Sequence, residues 1–103
     1  MYQKSNDTNI EELVRANGIT MACLKAEWCG PCRVYSPIIK EFSVENEDIS
    51  VVTLDVDESK GFAAKHGIRS VPTTILFKNG QLITKIPGLI PKQKLQYYID
   101  NLK

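Results

Sequence analysis

Apolar residues recur along this chain in two rhythms, and the switches between them predict its elements. Ile10, Leu13 and Val14 fall on one face of a short helix, with Ser5 or Asp7 placed to cap its start and Asn17-Gly18 to end it. Ile19 to Ala26 is almost continuously apolar, the pattern of a strand covered on both faces. From Cys32 to about Asn46 the helical period returns through Val34, Ile38, Ile39 and Phe42, and Pro37 is expected to kink that helix. Ile49 to Val56 is rich in β-branched residues and reads as a second strand, and Lys60 to His66 as a short helix closed by Gly67. Thr73–Lys78 and Gln81–Ile86 flank Asn79-Gly80, the strongest short signal for a type I′ hairpin. Pro91 to Leu102 closes the chain as an amphipathic helix, with Leu95, Tyr98, Ile99 and Leu102 inward.

Strand, helix, strand and helix followed by a hairpin and a helix imply an α/β fold. Early βαβ units pair in parallel through right-handed crossovers, and the hairpin adds antiparallel strands. The expectation is a mixed central sheet of about four to five strands with helices on both faces. The whole of 1–103 reads as one domain, because 103 residues give one core and no second.

Charge narrows the choice of partners. Thirteen Lys and Arg oppose twelve Asp and Glu, so there is no basic footprint for nucleic acid. No apolar run approaches the ~20 residues that cross a bilayer. Met1 to Asp7 lacks the apolar core of a secretion signal, and a cytoplasmic monomer is the expectation.

The chemistry concentrates at Cys29 and Cys32. A bond between them closes so short a loop that it adds little to folding, which suits a working disulfide better than a structural one. At a strand-to-helix junction the Cys29 sulfur faces unpaired N–H groups and the positive end of the helix dipole, and both favour thiolate. Such motifs can lower a cysteine from ~8.5 to about 7, roughly 2 kcal/mol of differential stabilisation. Cys29 is therefore the expected nucleophile, and Cys32, less exposed and one turn on, the resolving thiol. Gly30 and Pro31 shape the turn, since proline is well tolerated in a first helical turn. The same pair also suits half of a zinc site, but the remaining Cys and His, Cys23 and His66, lack ligand spacing.

Trp28-Cys29-Gly30-Pro31-Cys32 resembles the active-site signature of the thioredoxin family. Pro37, Asp55-Val56-Asp57, Gly67-Ile68-Arg69-Ser70-Val71-Pro72-Thr73, Phe77-Lys78-Asn79-Gly80 and Gly88 follow in the family's order. The resemblance implies the thioredoxin fold and a protein dithiol–disulfide oxidoreductase acting as a protein-disulfide reductase. It also implies a cis bond before Pro72 and a substrate surface of Trp28, Val56, Val71, Pro72, Gly88 and Leu89. No tightly bound cofactor or metal is implied, because the Cys29–Cys32 disulfide carries the electrons. The implied partners are disulfide-containing proteins and an NADPH-dependent flavoprotein, thioredoxin reductase. Alternatives are an electron donor dedicated to one redox partner and a non-catalytic subunit with the same fold.

The sequence departs from that family at three places. Cys23 stands where many members bury an aspartate six residues before the nucleophile, Thr53 where its lysine partner lies, and Lys25 where a second tryptophan is common. Losing carboxylate and lysine together avoids an uncompensated buried charge, and slower resolution by Cys32 is expected. Cys23 reads as a packed small hydrophobe, His66 as a solvated surface residue, and Asp55 and Asp57 as parts of a solvated turn.

Overall fold

A computed structural model describes residues 2–103. The elements run β1 (Tyr2–Ser5), α1 (Ile10–Val14), β2 (Ile19–Lys25), α2 (Gly30–Glu45), β3 (Ser50–Asp55), α3 (Lys60–Lys65), β4 (Thr73–Lys78), β5 (Gln81–Pro87) and α4 (Lys92–Leu102). The sheet order is β1-β3-β2-β4-β5. β3 pairs in parallel with both β1 and β2, while β4 runs antiparallel to β2 and β5. This is the mixed sheet of four to five strands expected, with β1, not read from the sequence, as one edge.

Period-two alternation divides the core into two layers. Ile19, Met21 and Cys23 of β2, Val51 of β3 and Leu76 of β4 pack under α2 and α4 against Ile39, Phe42, Leu95 and Ile99. Ala22, Leu24, Val52, Leu54, Ile75 and Phe77 pack on the other face against Ile10, Val14 and Phe62 of α1 and α3. Each buried Leu, Ile or Phe side chain contributes about 1.5–3 kcal/mol, so both helix layers are fixed by the sheet they cover.

Several expectations need correction. Tyr2–Ser5 forms a strand that alternation does not reveal, because only Ser5 of its four residues is buried. Asp7 caps no part of α1; its carboxylate accepts the N–H groups of Gly61 (2.8 Å) and Phe62 (2.9 Å) in the first turn of α3. α2 begins at Gly30, continues through Pro37, and buries Cys32, Tyr35, Ile39 and Phe42. Val34 is 59% exposed; its place inward goes to Tyr35, whose hydroxyl shares a 2.8 Å hydrogen bond with Thr74. His66 is half-buried rather than fully solvated: its ring lies 4.4 Å from that of Phe62 and 5.9 Å from that of Phe77. The hairpin turns as its sequence dictates, with positive φ at both Asn79 and Gly80.

Candidate active site

Cys29 is the N-cap of α2, in an extended conformation, and Gly30-Pro31 make the first helical positions. Proline costs nothing there, since N–H groups of a first turn have no partner within the helix. The next N–H, that of Cys32, donates to the Cys29 sulfur at 3.2 Å. Sequence therefore dictates the electrostatics: one sulfur occupies the place where a capping oxygen normally sits, facing the positive end of a 16-residue helix.

Cys29 and Cys32 are joined as a disulfide, with Cα atoms 5.3 Å apart. The expected contrast in burial is slight, because Cys29 is 5% and Cys32 3% exposed. What distinguishes them is direction. The Cys29 sulfur lies 3.5 Å from the carbonyl oxygen of Val71, beside the cis Val71–Pro72 bond. Cys32 instead borders a cleft of about 380 Å³ on the other side of the turn, with Lys25, Arg33, Ser36 and Asp55.

Of the other residues read from sequence as a substrate surface, Val56 and Val71 pack against Cys29, and Pro72 is buried next to Val71. Trp28 is 70% exposed, and its indole N–H donates to Asp57 Oδ2 at 3.0 Å. Trp28, Val56 and Val71 line one small cleft of about 130 Å³. The Gly88 N–H donates to the Pro72 carbonyl at 2.8 Å, which holds the loop after β5 against the loop before β4. Gly88 and Leu89 are both exposed on that loop.

Two groups were misread or missed in the sequence. Asp57 holds the Trp28 ring, a contact between residues 29 apart that no local pattern announces. Asp55 is 7% exposed rather than solvated, and its Oδ1 accepts the N–H of Asp57 at 2.8 Å. Its burial follows from parity: Asp55 shares a face of β3 with Val51 and Thr53, the face under α2.

Beneath the site, Cys23 lies opposite Thr53 of β3 and Thr74 of β4. Burial pushes its thiol up to about 12, against smaller downward pulls from the Thr74 hydroxyl and the Lys25 charge. Burial likewise raises the Tyr35 phenol, with the Cys23 charge adding to the rise. Both stay protonated at neutral pH. Cys23 is a packed thiol with no disulfide partner. Among the described residues no group of three or more His, Cys, Asp or Glu is placed to hold a metal ion.

Comparison with known proteins gives this geometry a family. The thioredoxin family model matches residues 1–101. A thioredoxin of Staphylococcus aureus is 36% identical over 98 residues, 94% of this chain and 93% of its own length. A thioredoxin of Mycoplasmoides gallisepticum is 34% identical over 96 residues, 93% of this chain and 96% of its own. Among solved structures, a chain from work on the thiol resolving mechanism of a yeast mitochondrial 1-Cys peroxiredoxin via glutathione/thioredoxin systems superposes with a TM-score of 0.87. It is 31% identical, and the match spans 98% of this chain and 94% of that one. Identity at this level over nearly the full length, together with a cysteine pair joined at the entrance of α2, makes the chain a member of the thioredoxin family and a dithiol–disulfide oxidoreductase.

Proposed function

We propose that Cys29 is the attacking thiolate and Cys32 the resolving thiol of a one-domain, monomeric, cytoplasmic protein-disulfide reductase. Protein-disulfide reduction and the use of thioredoxin reductase as electron source come with family membership. The assignment of roles rests on one observation: the Cys32 N–H points at the Cys29 sulfur from the positive end of α2. That bond strengthens when the sulfur carries charge, so it lowers the energy of the Cys29 thiolate relative to the thiol.

The reduced protein attacks a substrate disulfide through Cys29. A Cys29–substrate mixed disulfide forms, and one substrate sulfur leaves as thiolate. Cys32 then attacks the Cys29 sulfur, releasing the second substrate thiol and restoring the disulfide. Trp28, Val56, Val71, Pro72, Gly88 and Leu89 are the surface we assign to substrate. Backbone groups beside Pro72 suit an extended segment by strand addition, and the shallow clefts suit a protein rather than a small molecule. Membrane insertion by a helix has no support, since no described helix is long and apolar enough to cross a bilayer.

Reductase-coupled reduction of insulin tests the assignment. The wild-type protein is expected to turn over, Cys29→Ser to be inactive, and Cys32→Ser to accumulate a mixed disulfide on Cys29 that mass spectrometry locates. Turnover retained by Cys29→Ser, or the adduct found on another residue, would contradict it.

A further inference from the structure

The resolving step needs a proton acceptor, because a thiol near its ordinary value of ~8.5 is mostly protonated at neutral pH. The usual place for one is empty of charge here. Cys23 and Thr53 face each other where the family pairs a carboxylate with a lysine, and neither takes a proton at neutral pH.

One pleat further along the same two strands, Lys25 and Asp55 are opposed in register. Residues two apart on a strand share a face, so Lys25 continues the face of Cys23, and Asp55 that of Thr53, toward the turn that carries the cysteines. Both border the 380 Å³ cleft that Cys32 also borders. A carboxylate and a lysine are thus present again, two residues nearer the site and exchanged between β2 and β3. Asp55 is 7% exposed, and the Asp57 N–H fixes one of its oxygens at 2.8 Å, so the carboxylate is held in place. The cleft has room for water between that carboxylate and the Cys32 sulfur.

We propose that Asp55 accepts the Cys32 proton, through water in this cleft, when the mixed disulfide is resolved. The inference rests on Cys32 being the resolving thiol. The Cys32 S–H bond gives its proton to the Asp55 carboxylate, and the sulfur keeps the electron pair. That pair forms the Cys32–Cys29 bond while the Cys29–substrate sulfur bond breaks, and the departing sulfur leaves as thiolate. Asp55 then passes its proton to water. The other charged side chains bordering the cleft are Lys4 on β1, Lys25 on β2, Glu27 in the turn and Arg33 on α2, while the Asp57 carboxylate is turned to Trp28.

The experiment uses the reduced protein with a limiting chromogenic aryl disulfide, a dithio-nitrobenzoate reagent, in a stopped-flow spectrometer. The first nitrothiobenzoate released reports attack by Cys29, and the second reports resolution. Asp55→Asn is expected to leave the first release unchanged and to slow the second about tenfold or more near pH 7. The slowing is expected to vanish above about pH 9, where Cys32 ionises unaided. Asp55→Ser, whose hydroxyl also accepts the turn N–H, is expected to behave in the same way, and Asp55→Glu to keep the wild-type profile within a few-fold. A second release that is unchanged, or slowed equally at every pH, overturns the proposal. If Cys32→Ser still gives the second release, the assignment of Cys32 has failed instead, and the two failures are told apart by that variant alone.

Discussion

Three side chains set the chemistry of this protein, and each is set by its immediate neighbours. In the proposed roles, Cys29 takes its reactivity from the Cys32 N–H and the α2 dipole. Trp28 takes its position from Asp57, and as the only indole in the chain it reports on the site by fluorescence. Cys23 takes its inertness from burial among Thr53, Thr74 and Tyr35. Restoring the family's carboxylate alone, by Cys23→Asp, is expected to destabilise the fold by about 3 kcal/mol or more near neutral pH, because no cation opposes it at Thr53. Burial raises that carboxyl's folded value above its unfolded one. The folded state then binds the extra proton, so stability is present at low pH and is lost as pH rises through the raised value. Urea unfolding of Cys23→Asp at about pH 5 and about pH 8 checks this, with Thr53→Lys in the same chain expected to recover part of the loss. Equal stability of the single variant at both pH values would contradict the reading. Cys23 was legible from its position in an apolar run. The roles of Asp55 and Asp57 were not, because a carboxylate at a strand end reads as solvated until the strand's partners and covering helix are known.

At the scale of elements, long-range hydrogen bonds decide what local propensity leaves open. α3 has only six residues, and its capping acid comes from Asp7, more than fifty positions earlier. The sequence signalled the right chemistry at Asp7 but attached it to the nearest helix, since caps are normally sought next to the helix they serve. Gly61 belongs to the same contact: a Cβ there would come within 2.9 Å of Asp7 Oδ2. Asp7→Ala is expected to cost about 1–2 kcal/mol, and Tm to fall by roughly 4–8 °C for each kcal/mol. Gly61→Ala displaces the same carboxylate, so calorimetry of the double variant is expected to show much less than the summed losses. Additive losses would mean that the contact carries little energy. α2 and α4 are tied in a similar way, by reciprocal amide hydrogen bonds of 2.9 Å between buried Asn46 and Gln96. β1 escaped the sequence reading because its hold is backbone pairing with β3, which leaves no apolar alternation in four residues.

The whole molecule works by bringing distant segments to one end of a sheet. The ends of β2 and β3, the loop before β4 and the loop after β5 supply Trp28–Cys32, Asp55–Asp57, Val71-Pro72 and Gly88. A crevice beyond the carboxyl ends of parallel strands is where α/β sheets commonly bind their ligands. The radius of gyration is 12.2 Å, close to the ~13 Å of a compact hundred-residue domain, so a protein substrate is met on the outside rather than enclosed. The layered fold was readable because hydrophobic period and turn residues agree along the chain, as at Asn79-Gly80. Which cleft belongs to which cysteine was not, since it depends on register across three strands and on the face α2 covers. The account stands or falls on the charge of a single sulfur at the start of α2. The direct measurement is the rate of iodoacetamide alkylation of the reduced protein against pH, with the modified residue identified by mass spectrometry. A profile for Cys29 with its midpoint well below that of an ordinary thiol is predicted, whereas a midpoint at the ~8.5 of an ordinary thiol would contradict the account.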